Sequence, residues 1–188
     1  MHFQNTLQIG TTGMLSAAGL WLAEHSEQTT IISRNPAPFV NQLRDQGYQA
    51  KGTSCNYKIP QQRQNLSKTL NPNKYDLILL WIHQDGASLL EELSTSCCSD
   101  IARIIWVVGS DFQNLEKEHA NKKFERSTLP DNVSLQIVIL GFQVELGKSR
   151  WLSHQEISQG VIRVIKAPQE KESTIGQTES LLAPNQDK

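Results

Sequence analysis

The chain has 188 residues, 38% of them hydrophobic and 20% charged, which suffices for one well-packed domain and is too little for two of ordinary size. A formal net charge of -1 gives no general attraction to nucleic acid or to an anionic membrane surface, so any anion site must be local. The longest apolar stretches, 14–23 and 104–109, are too short to cross a bilayer, and residues 1–5 show no basic region leading into an apolar run, so a cytoplasmic protein is expected.

Residues 7–9 read as a first strand closed by Gly10, and residues 14–23, rich in good helix formers, as the first helix. Residues 30–33 are a second strand, after which Pro36 opens a helix carrying Phe39, Val40 and Leu43 on one side and Gly47 ends it. Residues 48–57 form a weaker, polar strand expected near a sheet edge, followed by a solvated helix over 61–70 and the turn Asn71-Pro72-Asn73. The unbroken apolar runs 76–82 and 104–108 are expected to be central strands covered on both faces, with a crossover helix over 86–94 between them. A short or irregular helix is expected over 114–126 and a sixth strand over 133–144, interrupted at Gly141 and Phe142. Ser153 and Glu156 form a capping box for a last helix over 154–166, which Pro168 stops. From Gln169 the chain is polar with few apolar anchors, so residues 169–188 are expected to be a disordered tail behind a single domain at 1–168.

This alternation of strands and helices predicts an α/β fold: a doubly wound parallel sheet of about six strands, in three α/β/α layers. Cys55, Cys97 and Cys98 are odd in number and two are adjacent, which does not suit a disulfide framework. The five histidines are scattered without metal-ligand spacing, and no metal is expected.

The turn Gly10-Thr11-Thr12-Gly13 lies between the first strand and the first helix, where backbone N–H groups and the helix dipole favour a bound anion such as a pyrophosphate. Gly10 permits a tight turn, and Gly13 permits close approach of the backbone to the phosphates. The third glycine of the usual pattern is replaced by Ser16, but Ala17, Ala18 and Gly19 are small enough to keep the helix close to the sheet. A strand-turn-helix that merely needs two glycines would look the same, so the position of the turn at the start of an alternating chain carries the argument. The second strand ends in Ser33-Arg34-Asn35, without the acid that NAD-preferring sites place against the ribose hydroxyls. Arg34 can instead offer its planar fork to a 2′-phosphate, with Ser33 and Asn35 as further donors, so NADP is the expected cofactor ahead of NAD. A solvated surface arginine is the bland alternative. No Gly-Lys-Ser/Thr follows the turn, which excludes a P-loop.

With these residues the chain resembles the short-chain dehydrogenase/reductase superfamily, and a small atypical branch of it in particular. The resemblance runs from about Leu7 to Ala167 and rests on residues 9–15, 21–23, 32–36, 80–83 and 149–158. It implies a Rossmann sheet and a nicotinamide cofactor held by Gly10, Thr11, Thr12, Gly13, Met14, Leu15, Ser33, Arg34 and Asn35, with Asn56 beside the adenine where the superfamily often has Asp. The superfamily's catalytic Tyr-x-x-x-Lys is missing: Tyr48, Tyr57 and Tyr75 are followed four residues later by Gly52, Gln61 and Leu79.

Ser110 matches the superfamily's carbonyl-orienting serine, although a turn residue after Gly109 would look alike. His83 ends the fourth strand on the sheet edge where ligands collect, and an imidazole there could protonate a carbonyl oxygen; a histidine merely hydrogen-bonded to a loop is the alternative. Arg150 could hold a substrate carboxylate or a cofactor phosphate and Trp151 supply a flat wall, or Trp151 could be a buried lid beside a solvated arginine. Trp81 and Trp106 are expected in core strands without a functional role, and Cys97 and Cys98 are expected to be inert rather than reactive.

The function expected from these readings is an NADP(H)-binding oxidoreductase acting on a small molecule whose identity the sequence does not carry. A non-catalytic NADP(H)-binding module that reports redox state to a partner is the competing reading, and a domain that has lost its cofactor is a third. Neither nucleic acid nor membrane is expected as a partner, and homo-oligomerisation is left open.

Overall fold

The structure is a computed structural model that describes residues 1–70, 74–82, 87–110, 129–146 and 148–178. Its centre is a parallel sheet built from β1 (Phe3–Ile9), β2 (Ser26–Ser33), β3 (Ala50–Ser54), β4 (Tyr75–Trp81), β5 (Cys98–Gly109), β6 (Val133–Leu140) and β9 (Glu172–Ile175). The spatial order is β3-β2-β1-β4-β5-β6-β9, and every neighbouring pair is parallel. β7 (Phe142–Glu145) and β8 (Lys148–Trp151) form a separate antiparallel hairpin.

Parallel strands buried on both faces need continuous apolar runs, and β4 meets that demand: Leu77, Ile78, Leu79 and Leu80 are all fully buried. They alternate between the two faces. Leu77 and Leu79 pack with α1 (Ser16–Glu24) and α5 (His154–Lys166), whereas Ile78 and Leu80 join the opposite cluster with Leu66 of α3 (Pro60–Leu70) and Leu89 and Leu93 of α4 (Ala87–Ser96). Each fully buried aliphatic side chain of this kind contributes on the order of 1.5–3 kcal/mol. α2 (Ala37–Asp45) places Phe39, Val40 and Leu43 over Ile31, as the Pro36 start and the 3.6-residue spacing predict.

Three expectations change. The seventh strand, β9, lies in what the sequence suggests is a disordered tail. It pairs with β6 from Ile137↔Glu172 to Leu140↔Ile175, and Ile175 is buried against Gly160, where an added Cβ would stand 2.4 Å from the isoleucine Cδ1. A single buried apolar residue and an open edge on β6 order this segment despite its polar composition. Residues 133–144 divide into β6 and the start of the hairpin instead of one interrupted strand; the Gly141 N–H donates to Ile175 O at 2.9 Å, and an added Cβ on Gly141 would overlap Gln177 O at 2.1 Å. α1 starts at Ser16, two residues later than expected, because Ser16 N–H closes the turn onto Gly13 O at 2.9 Å. The helix expected over 114–126 lies outside the described residues.

One buried polar cluster fixes the far side of the sheet. The Arg103 guanidinium donates to Ile165 O at 3.0 Å and to the Gln136 side chain, and Gln136 Nε2 donates to Ala167 O at 2.9 Å. Between them they close the C-terminal carbonyls of α5 from the sheet. Burial holds the Arg103 guanidinium below its ordinary pKa.

Candidate nucleotide site

β1 has β2 on one side and β4 on the other, so the chain winds away from it in both directions and leaves a crevice at the C-terminal ends of these strands. A cavity of about 870 Å³ occupies that place. Its walls are the turn after β1, the ends of β2 and β4, and the loop after β3.

Gly10 adopts φ +78°, and an added Cβ would lie 2.3 Å from Trp81 O on the neighbouring strand, so only glycine fits the turn. Gly13 faces open space: a Cβ there would meet no protein atom within 4 Å. α1 then begins without a side-chain cap and without an acid in its first turn, which leaves its N-terminal N–H groups for an anion. The third glycine's packing role passes to Gly19, whose Cβ position lies 2.5 Å from the Gln8 side chain.

Gly10, Thr12, Gly13 and Met14 line the cavity, as do Ser33, Arg34 and Asn35 at the end of β2, and Asn56 after β3. Thr11 and Leu15 do not: both side chains are fully buried. Thr11 instead donates to Gln8 Oε1 at 3.0 Å, and Gln8 Nε2 donates to Gly19 O and Thr29 Oγ1, each at 3.0 Å. A glycine pattern in sequence marks a turn but does not say which of its side chains face inward, so Thr11 and Leu15 are corrected to core residues that could reach a ligand only through their backbone.

Trp81 requires the opposite correction. It ends β4 partly buried and lines the cavity, while Trp106 is buried with its indole N–H donating to Ile82 O at 3.3 Å. Tyr57, Lys58 and Cys55 also line the cavity and were not apparent from the sequence. The one signal for them is their position directly after β3, a strand whose polar composition hides where it ends.

Among the described residues the walls hold Arg34 and Lys58. Ser33 Oγ is buried without a hydrogen-bond partner among the described residues. An open face at Gly13, an uncapped helix start and a cationic wall together fit a dinucleotide.

The other candidate residues that are described do not line the cavity. Ser110 follows β5 and is partly buried, and His83 lies outside the described residues. Arg150 does not line the cavity; its fork is engaged by Glu156, with Nη1 to Oε2 and Nη2 to Oε1 both 2.9 Å, and by Glu145. This arginine is therefore committed to protein carboxylates, and Trp151 beside it is 48% exposed on the outside of the hairpin, not a buried lid. Burial raises all three thiols, Cys98 to about 12, so they are largely protonated at neutral pH. Among the described residues no cluster of His, Cys, Asp or Glu could hold a metal, and no helix is long and apolar enough to cross a membrane.

No family model and no curated protein matches this sequence. Solved structures do share its architecture. An NADH-dependent reductase, A1-R′, complexed with NAD is 13% identical over 93% of this chain and 96% of its own, with a TM-score of 0.66. The FolM alternative dihydrofolate reductase 1 of Brucella suis in complex with NADP is 12% identical over 98% of each chain, with a TM-score of 0.70. A short-chain type dehydrogenase/reductase of Mycobacterium ulcerans is 8% identical over 93% of this chain and 89% of its own, with a TM-score of 0.66. The chain has the three-layer Rossmann fold of these reductases and of this dehydrogenase/reductase.

Proposed function

We propose that the protein binds NADP(H) in the crevice between β1, β2 and β4 and acts as an oxidoreductase of the short-chain-dehydrogenase type on a small organic molecule. The observation that carries this reading is the cavity wall itself: a glycine turn at a helix start, with Arg34 at the end of β2 in place of the acid that would favour the unphosphorylated ribose. The NADP- and NAD-bound reductases of the same fold support the cofactor class.

In this reading the backbone of residues 10–14 and the start of α1 hold the pyrophosphate, and Arg34 and Ser33 hold the 2′-phosphate. Asn56 stands at the adenine. Bound NADPH would supply a hydride. Ser110, at the C-terminal end of β5, orients a substrate carbonyl, and His83, two residues beyond β4, gives the proton that neutralises the resulting alkoxide.

A second reading, a non-catalytic NADP(H)-binding module, is favoured by the tyrosines. The chain has three, none beyond Tyr75, and Tyr75 is buried in β4, donating to Thr30 Oγ1 at 3.2 Å. None follows β5, where an activated tyrosine would serve a substrate.

Titration with NADPH and with NADH, followed by nicotinamide and tryptophan fluorescence in wild type and Arg34→Ala, tests the proposal. Tight NADPH binding whose advantage over NADH disappears in Arg34→Ala is the expected result, and binding of neither nucleotide overturns it. His83→Ala separates the two readings: a catalyst keeps nucleotide binding and loses turnover, whereas a sensor shows no turnover in either form.

A further inference from the structure

β1 runs through the middle of the sheet among the buried aliphatic side chains of Leu7, Ile9, Leu77 and Leu79, yet Gln8 is fully buried there. An amide taken out of water costs free energy unless its groups are bonded, and this one is bonded at both ends. Gln8 Nε2 donates to Gly19 O on α1 and to Thr29 Oγ1 on β2, and Gln8 Oε1 accepts from the Thr11 hydroxyl, each at 3.0 Å. Gly19 O can only accept, so the amide nitrogen faces the helix and the amide oxygen faces Thr11. Thr6 Oγ1 in turn donates to Thr29 Oγ1 at 3.0 Å, which extends the buried network along β1. Gly19 makes room for the amide, since an added Cβ would stand 2.5 Å from Gln8 Oε1.

The two threonines of the Gly10–Gly13 turn face opposite ways: Thr12 lines the cavity, and Thr11 is fully buried. The ends of the turn are fixed by backbone bonds, Gly10 N–H to Ile32 O at 3.2 Å and Ser16 N–H to Gly13 O at 2.9 Å. Between those points the Thr11 hydroxyl ties the turn to Gln8. The same stretch carries the N–H groups that an anion at the start of α1 would meet, and their directions follow from where Thr11 is held. An aliphatic residue at position 8 would fill the space without the cost of desolvating an amide, but it would leave the turn untied.

We propose that Gln8 is a positioning residue of the nucleotide site: its amide joins α1 to β2 and, through the Thr11 hydroxyl, presets the backbone of residues 10–13 in the form that receives the pyrophosphate. This inference rests on the nucleotide-binding reading above. It concerns the pyrophosphate that NADPH and NADH share, not the 2′-phosphate assigned to Arg34.

Wild type, Thr11→Val, Thr11→Ser and Gln8→Leu should be titrated with NADPH, NADH and ADP-ribose well below each protein's unfolding midpoint. Under that condition a loss of stability alone leaves affinity unchanged. In Thr11→Val, affinity for all three ligands should fall about fivefold, because losing one ordinary hydrogen bond lets the turn leave the receiving form. The ratio of NADPH to NADH affinity should stay within about twofold of the wild-type ratio, whereas Arg34→Ala changes it. Thr11→Ser keeps the hydroxyl and should bind within about twofold of wild type. Gln8→Leu should lose at least as much as Thr11→Val, and combining the two should add nothing to Gln8→Leu. If Gln8→Leu does not fold, the two Thr11 variants decide.

Wild-type affinity in Thr11→Val overturns the inference and leaves the nucleotide reading standing. An equal loss in Thr11→Ser does the same, because the hydroxyl is then not the cause. A loss confined to NADPH would place the effect at the 2′-phosphate and also overturns it. If wild type binds none of the three ligands, the nucleotide reading itself fails and the role of Gln8 falls with it.

Discussion

The Ser158 hydroxyl, on α5, donates to the backbone carbonyl of Met14 at 3.1 Å, although 144 residues separate the two. Ser158 is fully buried, and Met14 lines the nucleotide cavity. The last helix therefore sets the position of the turn proposed to receive the pyrophosphate. Ser158→Ala removes the donor without adding bulk, so it should cost about 1 kcal/mol of stability, read from denaturant unfolding. Because the turn loses a tether, NADPH affinity should also fall by a few-fold. Unchanged stability and affinity would mean that the bond contributes nothing to either.

Gly10 and Gly13 separate folding from binding. At Gly10 the left-handed backbone and the 2.3 Å approach to Trp81 O both exclude a side chain, so Gly10→Ala should destabilise the protein by more than about 2 kcal/mol. At Gly13 a methyl group meets no protein atom within 4 Å, so Gly13→Ala should melt within about 0.5 kcal/mol of wild type. The same methyl points into space that a pyrophosphate would occupy, and NADPH binding should drop at least about tenfold. Equal melting temperatures for both variants would contradict this assignment, as would normal NADPH binding by a folded Gly13→Ala protein.

What the sequence reveals and what it conceals divide along physical lines. β4, β5 and the last helix are legible because long apolar runs and a capping box are local signals; the helix spans His154–Lys166, and Ser153 and Glu156 cap it reciprocally. Arg34 and the two turn glycines are legible because a strand-turn-helix has few solutions. Thr11 and Leu15 mislead, since their inward orientation is decided by Gln8 and the core. Lys58 is hidden because its place depends on β3 pairing with β2, a contact between residues about twenty positions apart. β9 is concealed for a similar reason, as its order comes from β6 and Gly160 and not from its own composition.

Ile175 offers a direct test of that last strand. It is 5% exposed and packs onto Gly160, while the residues around it are polar. Ile175→Ala should cost about 2–4 kcal/mol if β9 closes the edge of the sheet, because burial is lost and a cavity is left against α5. A disordered segment would give no change. Truncation after Ala167 should destabilise the chain at least as much, since it also exposes the edge of β6 and removes the Gln136 bond to Glu170 O.

Glu156 links stability to pH. Arg150 lowers its pKa first, and the Ser153 N–H and hydroxyl add to the effect, so that the carboxyl titrates near 2 instead of 4.5. Glu145 shifts in the same direction, also through Arg150. A folded-state pKa below the unfolded value means that the stabilising contribution is present above about pH 4.5 and is lost as the pH falls toward 2. Glu156→Gln keeps a side-chain acceptor for the Ser153 N–H and removes the charge. Wild type should therefore be the more stable protein at pH 6, and the difference in melting temperature should close between about pH 4.5 and pH 2. Because the pair is solvent-facing, added salt should narrow the difference at pH 6 as well. Parallel stability curves for the two proteins across this range would show that the Arg150–Glu156 pair does not hold the hairpin to the helix.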